Sequence, residues 1–320
     1  MSKKVLVTGG AGFIGSNFVR LLLDSGVEVT NLDALTYAGV GATVQELDAY
    51  PNHQFVKGDI RDTTLLADVV PGHDAVVHFA AESHVDRSIE GPTAFLSTNV
   101  VGTGTVIDAA RRASVPKFIH VSTDEVYGSI AEGFASEDGV LNPSSPYSAS
   151  KAGSDLVALS YATTFDYPVI VTRCTNNYGP YQFPEKVIPL FVTNLIDGES
   201  VPLYGDGRNE RDWLFVDDHC AAIELLLRVG TPGAVYNIGA NEQLSNRDLT
   251  TTILALMGAD ESSVEFVADR PGHDLRYAVD STKIRQLGWS PANDFSDGLE
   301  RTIDWYRSRP DWWRPLKETP

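Results

Sequence analysis

Tyr147 and Lys151 have the types and spacing of a pair that removes a proton from an alcohol. They are four residues apart, so on a helix their side chains share one face. A free tyrosine has a pKa near ~10 and is a poor base at neutral pH. Because a nearby ammonium group favours the phenolate, the pair predicts a tyrosine whose pKa is lowered into a working range. The pattern therefore indicates oxidation of a hydroxyl group.

Two adjacent carboxylic acids, Asp124 and Glu125, precede this pair. Carboxyl groups side by side push their pKa values apart, which leaves one protonated as an acid and one ionised as a base. Thr123 ends a predicted strand just before them and is placed to hydrogen-bond the reacting hydroxyl. A simple alcohol oxidation needs no second acid and base. The combination predicts an oxidation that is followed by elimination of water.

A glycine-rich turn near the start of the chain predicts a dinucleotide site. Gly9 permits a tight turn after a strand, Gly12 lets the backbone approach a pyrophosphate, and Gly15 lets the following helix lie against the sheet. The helix amides bind the phosphates. Asp33 ends the second predicted strand, where a carboxylate accepts both ribose hydroxyls of NAD and repels the phosphate of NADP. The Asp59-Ile60 pair after the third strand is placed to contact adenine.

An oxidised nicotinamide beside Tyr147 would further favour its phenolate, and Lys151 is placed to hold the cofactor ribose. A redox site that also carries an acid and a base can oxidise, eliminate water and reduce again. These residues together predict a dehydratase that recycles its own nicotinamide.

The elements that must position these residues alternate along the first half of the chain. Strands are predicted at 4–7, 27–32, 54–56, 75–79, 118–122 and 169–173, and helices at 13–24, 92–113 and 145–165. Such alternation predicts an α/β fold with a doubly wound parallel sheet of the Rossmann type. After about residue 180, short strands at 201–204, 213–216 and 235–238 mix with helices, the last at 295–307. We expect residues 1–180 to bind NAD and residues 181–320 to form a smaller α/β substrate domain, with the chain able to cross back.

Composition excludes several classes of protein. The net charge of −18 argues against nonspecific binding to nucleic acid or to an anionic membrane, so an anionic substrate needs a local basic pocket. No run of 18 apolar residues predicts a membrane span, and two cysteines give no disulfide framework, which favours the cytoplasm. The dispersed His84 and His120 lack metal-ligand spacing, so no metal is expected.

Nearly the whole chain resembles the dTDP-glucose 4,6-dehydratases, a group of extended short-chain dehydrogenases/reductases. The motifs that carry the resemblance are Gly9-Gly-Ala-Gly-Phe-Ile-Gly15, Asp33-Ala-Leu-Thr-Tyr-Ala-Gly39, Phe79-Ala-Ala-Glu-Ser-His-Val-Asp-Arg-Ser88, Ser122-Thr-Asp-Glu-Val-Tyr-Gly128, Tyr147-Ser-Ala-Ser-Lys151, Asn176-Asn-Tyr-Gly-Pro180, Phe183-Pro-Glu-Lys186, Arg211-Asp-Trp213 and Arg270-Pro-Gly-His-Asp274. The Thr-Asp-Glu element is the most specific of them, because related epimerases and decarboxylases carry other residues there.

The resemblance implies conversion of dTDP-glucose to dTDP-4-keto-6-deoxyglucose and water. In this cycle Tyr147 takes the proton of the C4 hydroxyl while NAD oxidises C4. Glu125 then removes the C5 proton as Asp124 protonates the departing C6 hydroxyl, and the reduced cofactor returns its electrons to C6. The order has a physical reason, since a C5 hydrogen is too weakly acidic to remove until C4 is a carbonyl.

The resemblance also implies binding residues and a homodimer. Further cofactor contacts are expected at Phe13, Ile14, Leu35, Thr36, Ala80, Ala81, Ser83, Thr98 and Asn177. Substrate contacts are expected at Ser83, Thr123, Asn176, Lys186, Pro202, Tyr204, Arg211, Asn237, Arg270 and His273. Lys186, Arg211 and Arg270 are the cations expected at the diphosphate. The helices near 92–113 and 145–165 are expected to form a four-helix dimer interface.

Two alternatives stay open at this point. In the first, the chain is an epimerase or a 4,6-dehydratase that acts on another nucleotide sugar. In the second, which is a different class of function, the chain is a noncatalytic NAD-binding scaffold, although such proteins typically lose the tyrosine or the lysine.

Overall fold

The structure is a computed structural model that describes residues 3–269 and 272–317. Its strands, in chain order, are β1 (Lys4–Thr8), β2 (Glu28–Asp33), β3 (His53–Lys57), β4 (Ala75–His78), β5 (Phe118–Thr123), β6 (Val169–Cys174), β7 (Asn176–Tyr178), β8 (Val201–Tyr204), β9 (Glu210–Phe215), β10 (Val235–Ile238), β11 (Gln243–Ser245) and β12 (Val264–Val267).

The helices, in chain order, are α1 (Phe13–Asp24), α2 (Gly41–Leu47), α3 (Thr63–Val69), α4 (Val85–Glu90), α5 (Pro92–Phe95), α6 (Thr103–Arg112), α7 (Pro146–Phe165), α8 (Val187–Asp197), α9 (Val216–Val229), α10 (Asn246–Met257), α11 (Thr282–Arg285), α12 (Phe295–Ser308) and α13 (Pro310–Lys317). A π-helical stretch, Leu96–Gly102, joins α5 to α6, so the predicted helix at 92–113 is continuous. Short 3-10 helices cover Asp124–Tyr127 and Glu261–Ser263.

A parallel sheet of seven of the described strands organises the molecule. Its strand order is β3-β2-β1-β4-β5-β6-β10, and every neighbouring pair is parallel. The order reverses between β1 and β4, where successive crossovers leave toward opposite sides. A cleft forms at such a point, at the carboxyl ends of the strands. The predicted doubly wound sheet is confirmed.

Apolar residues cover both faces of this sheet because side chains alternate along a strand. On one face, Val5 and Val7 pack in the same core as Phe18 of α1 and Ile223 of α9. On the other face, Leu6 packs in a second core with side chains from α3, α6 and α7. The strands thus read as continuous apolar runs, which is the pattern that located them in the sequence.

The start of α7 is fixed by local chemistry. Ser145 accepts a hydrogen bond from the backbone N–H of Ser148, and the Ser148 hydroxyl accepts one from the N–H of Ser145. This reciprocal cap, with Pro146 at the first helical position, is worth about 1 kcal/mol. It fixes the first turn of the helix, which carries Tyr147.

The C-terminal part is built differently. Two small sheets, β11-β9-β7 and β12-β8, surround a third core with α8, α10, α12 and α13. The stretch 235–238, predicted among the short strands of the second domain, pairs instead with β6 as the outermost strand of the main sheet. The chain therefore crosses back after residue 180.

None of the helices in the described residues has both the length and the apolar composition that a membrane crossing requires.

Candidate active site

A cleft opens where the strand order reverses, and most of the predicted site residues line it. Its lining includes Gly9, Gly12, Phe13, Ile14, Gly15, Asp33, Thr36, Asp59, Ile60, Ala80, Ala81, Ser83, Thr98, Thr123, Glu125, Tyr147, Lys151, Asn176, Asn177 and Lys186. These residues come from separate segments between residues 9 and 186, and the parallel sheet brings them together because each segment follows the carboxyl end of a strand or faces it.

The glycine turn between β1 and α1 has no room for side chains. Gly9 has a φ of 76°, and a Cβ there would lie 2.6 Å from the backbone nitrogen of Ala80. A Cβ on Gly15 would collide with the carbonyl oxygen of Gly9. Helix α1 begins after Gly12, and no side chain caps its first amides. The turn therefore offers bare N–H groups and the positive end of a helix dipole to an anion.

Asp33 ends β2 and is held in place by the backbone. Its Oδ2 accepts a hydrogen bond from Ala11 N at 3.0 Å, and its Oδ1 accepts one from Leu35 N at 2.8 Å. Burial raises the pKa of this carboxyl, and the two amides oppose that rise. Leu35 has a positive φ of 52°, and its side chain is not among those lining the cleft. Its contribution there is the amide that orients Asp33.

Asp59 lies at the cleft wall and is paired with a residue that the sequence analysis missed. Arg61 donates to Asp59 Oδ1 from its backbone N at 2.8 Å and from its Nε at 2.9 Å. The Arg61 guanidinium lowers the pKa of the Asp59 carboxyl. Arg61 also lines the cleft. Its position two residues after Asp59, at the carboxyl end of β3, was the available signal.

Tyr147 and Lys151 lie on one face of α7, as their spacing predicts, and both are buried. Lys151 Nζ donates to the carbonyl oxygen of Val121 at 2.8 Å, and burial lowers its pKa to about 8. The pKa of Tyr147 is raised rather than lowered, chiefly by burial and then by the charge of Glu125, while a hydrogen bond with Thr123 opposes the rise. The expected lowering depends on Lys151 together with an oxidised nicotinamide, and it stays a prediction. A phenolate here needs further positive charge in the cleft.

The acidic pair follows the end of β5. Thr123 caps the 3-10 helix by accepting a hydrogen bond from Glu125 N at 3.2 Å. Asp124 is 3% exposed, and its Oδ1 accepts a hydrogen bond from the Thr123 hydroxyl at 3.2 Å. Burial raises the pKa of Asp124 well above its usual range, and the adjacent charge of Glu125 raises it further. Burial thus favours the protonated form of Asp124, which lies behind the cleft wall, and Glu125 lies on the wall itself.

The predicted substrate cations lie in two places. Lys186 lines the cleft, and its Nζ donates to the carbonyl oxygen of Ser83 at 3.3 Å. Arg211 is buried on β9, where its guanidinium lies 4.2 Å from the centre of the Tyr277 ring and donates to the Asp274 carbonyl oxygen at 2.9 Å. Its charge opposes the rise in the pKa of Asp124. Arg270 lies outside the described residues.

Three other predicted nucleotide contacts gather away from the cleft. Pro202 and Tyr204 are on β8, and the His273 ring meets the Tyr204 ring edge-on at 6.3 Å between centres. His273 Nδ1 lies 2.6 Å from Asp269 Oδ1. None of the three lines the cleft, so their contact with the base stays a prediction.

Asn237, another predicted substrate contact, lies in the protein interior. Asn237 is completely buried, its Oδ1 accepts a hydrogen bond from the Tyr127 hydroxyl at 2.8 Å, and its Nδ2 donates to the Ala135 carbonyl oxygen at 3.0 Å. Protein groups thus bond both ends of this amide, and its contact with the nucleotide stays a prediction.

Comparison with known proteins agrees with this geometry. Residues 6–302 match the family described as GDP-mannose 4,6 dehydratase. The dTDP-glucose 4,6-dehydratase of Streptomyces niveus is 53% identical over 98% of this chain and 96% of its own length.

Two of the similar solved structures are a dehydratase and an epimerase. A dTDP-glucose 4,6-dehydratase from Streptomyces venezuelae, solved with NAD and dTDP bound, has a TM-score of 0.96 at 57% identity, covering 98% of this chain and 99% of that one. A UDP-glucose 4-epimerase from Thermotoga maritima has a TM-score of 0.89 at 30% identity, covering 95% and 99%. The fold is thus shared with epimerases, and the far higher sequence identity is with dehydratases. The chain belongs to the dTDP-glucose 4,6-dehydratase family.

Proposed function

We propose that this protein is an NAD-dependent lyase that converts dTDP-glucose to dTDP-4-keto-6-deoxyglucose and water. The observation that carries the proposal is that Tyr147, Lys151 and Glu125 line one cleft, with the buried acid Asp124 next to Glu125 behind its wall. Tyr147 and Lys151 serve an alcohol oxidation, and the buried acid Asp124 beside Glu125 serves an elimination. An epimerase, which only oxidises and reduces one carbon, has no use for the second pair.

The residues of the cleft fit NAD. The glycine turn, in which Gly9 and Gly15 have no space for a Cβ, suits a pyrophosphate close to the backbone. The oriented carboxylate of Asp33 suits the paired ribose hydroxyls and repels a 2′-phosphate. Phe13, Ile14, Thr36, Ile60, Ala80, Ala81, Thr98 and Asn177 would complete the cofactor wall, and Lys151 would hold the second ribose. When bound, NAD supplies a reversible two-electron acceptor, so the reaction needs no outside oxidant.

Proton removal at C4 falls to Tyr147. Its phenol is buried and its pKa is raised, so ionisation depends on positive charge brought next to it. Lys151 would supply part of that charge from one helical turn away. Thr123, which hydrogen-bonds the Tyr147 side chain, would orient the C4 hydroxyl that loses its proton. Because the C4 carbonyl is kept in the product, Tyr147 passes this proton to solvent, which balances the proton that Asp124 gives to the departing hydroxyl.

Elimination across C5 and C6 falls to the acidic pair. Glu125 on the cleft wall takes the C5 proton, which the neighbouring C4 carbonyl has acidified. Asp124 gives its proton to the C6 hydroxyl, which leaves as water. The electron pair of the broken C5–H bond forms a double bond between C5 and C6. Burial favours the protonated form of Asp124, which suits a general acid at neutral pH.

Substrate binding is assigned by the positions of the remaining polar residues. We propose that Ser83, Thr123 and Asn176 hold the sugar and that Lys186 binds the diphosphate in the cleft. Arg211, which is buried on β9 and does not line the cleft, would add its positive charge to that of Lys186. Pro202, Tyr204 and His273 would bind the base at the edge of the C-terminal part, together with Arg270. Residues 1–180 would serve NAD and residues 181–320 mainly the nucleotide sugar.

We also propose that the protein is a homodimer in the cytoplasm. Apolar side chains are exposed on the helix that runs through residues 92–112 and on α7, among them Val101 at 59% and Leu156 at 60%. Two such faces would form a four-helix interface in a symmetric dimer. Light scattering should give twice the chain mass, and Leu156→Glu should shift the protein toward the monomer.

Both cysteines are free and buried, which suits a reducing compartment such as the cytoplasm.

The test is to incubate the purified protein with dTDP-glucose and no added cofactor, and to follow the 4-keto-6-deoxy product by its absorbance in alkali. UDP-glucose and GDP-mannose run alongside. Product from dTDP-glucose is expected, absent in Tyr147→Phe and retained in Tyr161→Phe, a variant on the same helix outside the cleft. Turnover of another nucleotide sugar alone would keep the chemistry and overturn the substrate. Bound NAD without turnover of any of the three would overturn the activity.

A further inference from the structure

A buried ion pair lies behind the candidate active site. Asp155 is on α7, four residues after Lys151, and is completely buried. Its Oδ2 accepts a hydrogen bond from Arg173 Nε at 2.8 Å. Arg173 belongs to β6 and is 3% exposed, so water does not screen the pair. Neither residue lines the cleft, and no step of the reaction uses them.

The other end of the Arg173 guanidinium reaches the segment that carries the acidic pair. Arg173 Nη1 donates to the Tyr127 hydroxyl at 2.8 Å, and that hydroxyl donates to Asn237 Oδ1 at 2.8 Å. Tyr127 is the last residue of the 3-10 helix Asp124–Tyr127. Arg173 therefore connects α7, which holds Tyr147, to the short helix that begins with the general acid.

A histidine completes the α7 side of this network. Ser154 donates its hydroxyl hydrogen to the Lys151 carbonyl oxygen at 2.7 Å, so the Ser154 oxygen accepts from His120 Nε2 at 3.0 Å. The same Nε2 lies 3.3 Å from Asp155 Oδ1. Burial lowers the pKa of His120 to about 4, so the ring is neutral at neutral pH. With His120 neutral, the positively charged group that bonds Asp155 is the Arg173 guanidinium.

We propose that Arg173, paired with Asp155 and bonded to Tyr127, is a positioning residue that sets the redox pair and the acid-base pair at a fixed separation. The inference rests on the proposed function, in which both pairs must act on neighbouring carbons of one sugar ring. A displacement of ~1 Å in such a site costs on the order of 100-fold in rate. A buried ion pair adds little net stability over apolar packing, and specifying a geometry is a role it can serve.

The test removes one hydroxyl on the side of the acidic pair. Tyr127→Phe breaks the contact from Arg173 to the 3-10 helix and leaves the contact to Asp155 in place. Elimination should slow by roughly tenfold or more while C4 oxidation continues. The reduced form of the bound cofactor should then accumulate during turnover, and its near-ultraviolet absorbance reports it. Arg173→Lys, which lacks the second nitrogen for Tyr127, should show the same accumulation.

Tyr167→Phe is the matched control. Tyr167 is also buried, but among the described residues its hydroxyl has no hydrogen-bond partner, and it lies in the core on one face of the sheet. This variant should match the unmodified protein in turnover and in the fraction of reduced cofactor. Thermal unfolding of each variant separates loss of fold from loss of positioning, since unfolded molecules accumulate no reduced cofactor.

Two results would overturn the positioning role. One is Tyr127→Phe with unchanged turnover and unchanged reduced fraction. The other is a fall in turnover without accumulation of reduced cofactor, which would mean that the network only stabilises the fold. Failure of the unmodified protein to act on dTDP-glucose would instead overturn the proposed function and, with it, the inference built on it.

Discussion

Asp124→Asn should lower turnover while the free energy of unfolding, relative to the unmodified protein, rises with pH. The substitution preserves the shape of a side chain that is 3% exposed and can keep the hydrogen bond from the Thr123 hydroxyl. It removes the proton that the proposed elimination needs. General acids contribute on the order of 10²- to 10⁴-fold, so turnover should fall by that factor. Oxidation at C4 does not need this proton, so reduced cofactor should accumulate when substrate is added.

Stability should change with the opposite sign. Burial raises the pKa of Asp124 in the folded protein above its ordinary value of 3.8. At a pH between the unfolded-state and folded-state pKa values, the unfolded chain releases a proton that the folded protein keeps. The contribution of Asp124 to stability is thus complete below about pH 4 and is lost as the pH rises toward its folded value. Asparagine does not titrate. The free energy of unfolding of the variant, relative to the unmodified protein, should therefore rise with pH by up to ~1.4 kcal/mol for each pH unit in that window.

The assay combines turnover of dTDP-glucose, absorbance of the reduced cofactor, and urea unfolding at about pH 4 and about pH 7. Glu125→Gln is the matched comparison, because Glu125 lies on the cleft wall and Asp124 lies behind it. It should also stop the elimination, through loss of the base. The reasoning would be refuted if Asp124→Asn kept normal turnover, or if its relative stability failed to rise with pH.

Three further predictions concern single residues. Because the pKa of Lys151 is about 8 and its charged form is the active one, turnover should fall as the pH rises through about 8; in Lys151→Arg this limb of the pH–rate profile should disappear, and its persistence would assign the limb to another group. Gly15→Ala should lower the melting temperature and the NAD content of the purified protein, at a cost of ~1–3 kcal/mol, whereas Gly41→Ala, which has open space, should change neither; equal effects would contradict the steric account. Burial lowers the pKa of His219 to about 3, so below about pH 6.5 only the unfolded chain gains this proton; the stability lost between about pH 7 and about pH 5 should be smaller by about 2 kcal/mol in His219→Gln, measured by urea unfolding, and an unchanged loss would refute the assignment.

Local sequence patterns predicted the parts of this protein that depend on local chemistry. The glycine turn, Asp33 at the end of β2, and the shared face of Tyr147 and Lys151 follow from spacing within one or two elements. The bounds of β8 and β10 match the predicted ranges, because short apolar runs between turn residues define them.

The features that the sequence did not predict depend on distant contacts. The run at 235–238 has no local signal for its partner strand, and only the complete sheet shows that it pairs with β6. The hydrogen bonds of the Asn237 amide to Tyr127 and Ala135 join residues more than 100 positions apart, so no local pattern predicts them. The rise in the pKa of Tyr147 also depends on the fold, because it comes chiefly from burial and then from the charge of Glu125.

The most direct test of the central claim follows the hydrogen at C4 of the substrate. The purified protein is given dTDP-glucose deuterated at C4, with no added cofactor, and the product is analysed by mass spectrometry and NMR. Internal recycling predicts that the deuterium appears in the C6 methyl group of the same molecule, while the hydrogen at C5 comes from solvent. Loss of the deuterium from the product, or its return to C4 with the C6 hydroxyl intact, would contradict the account.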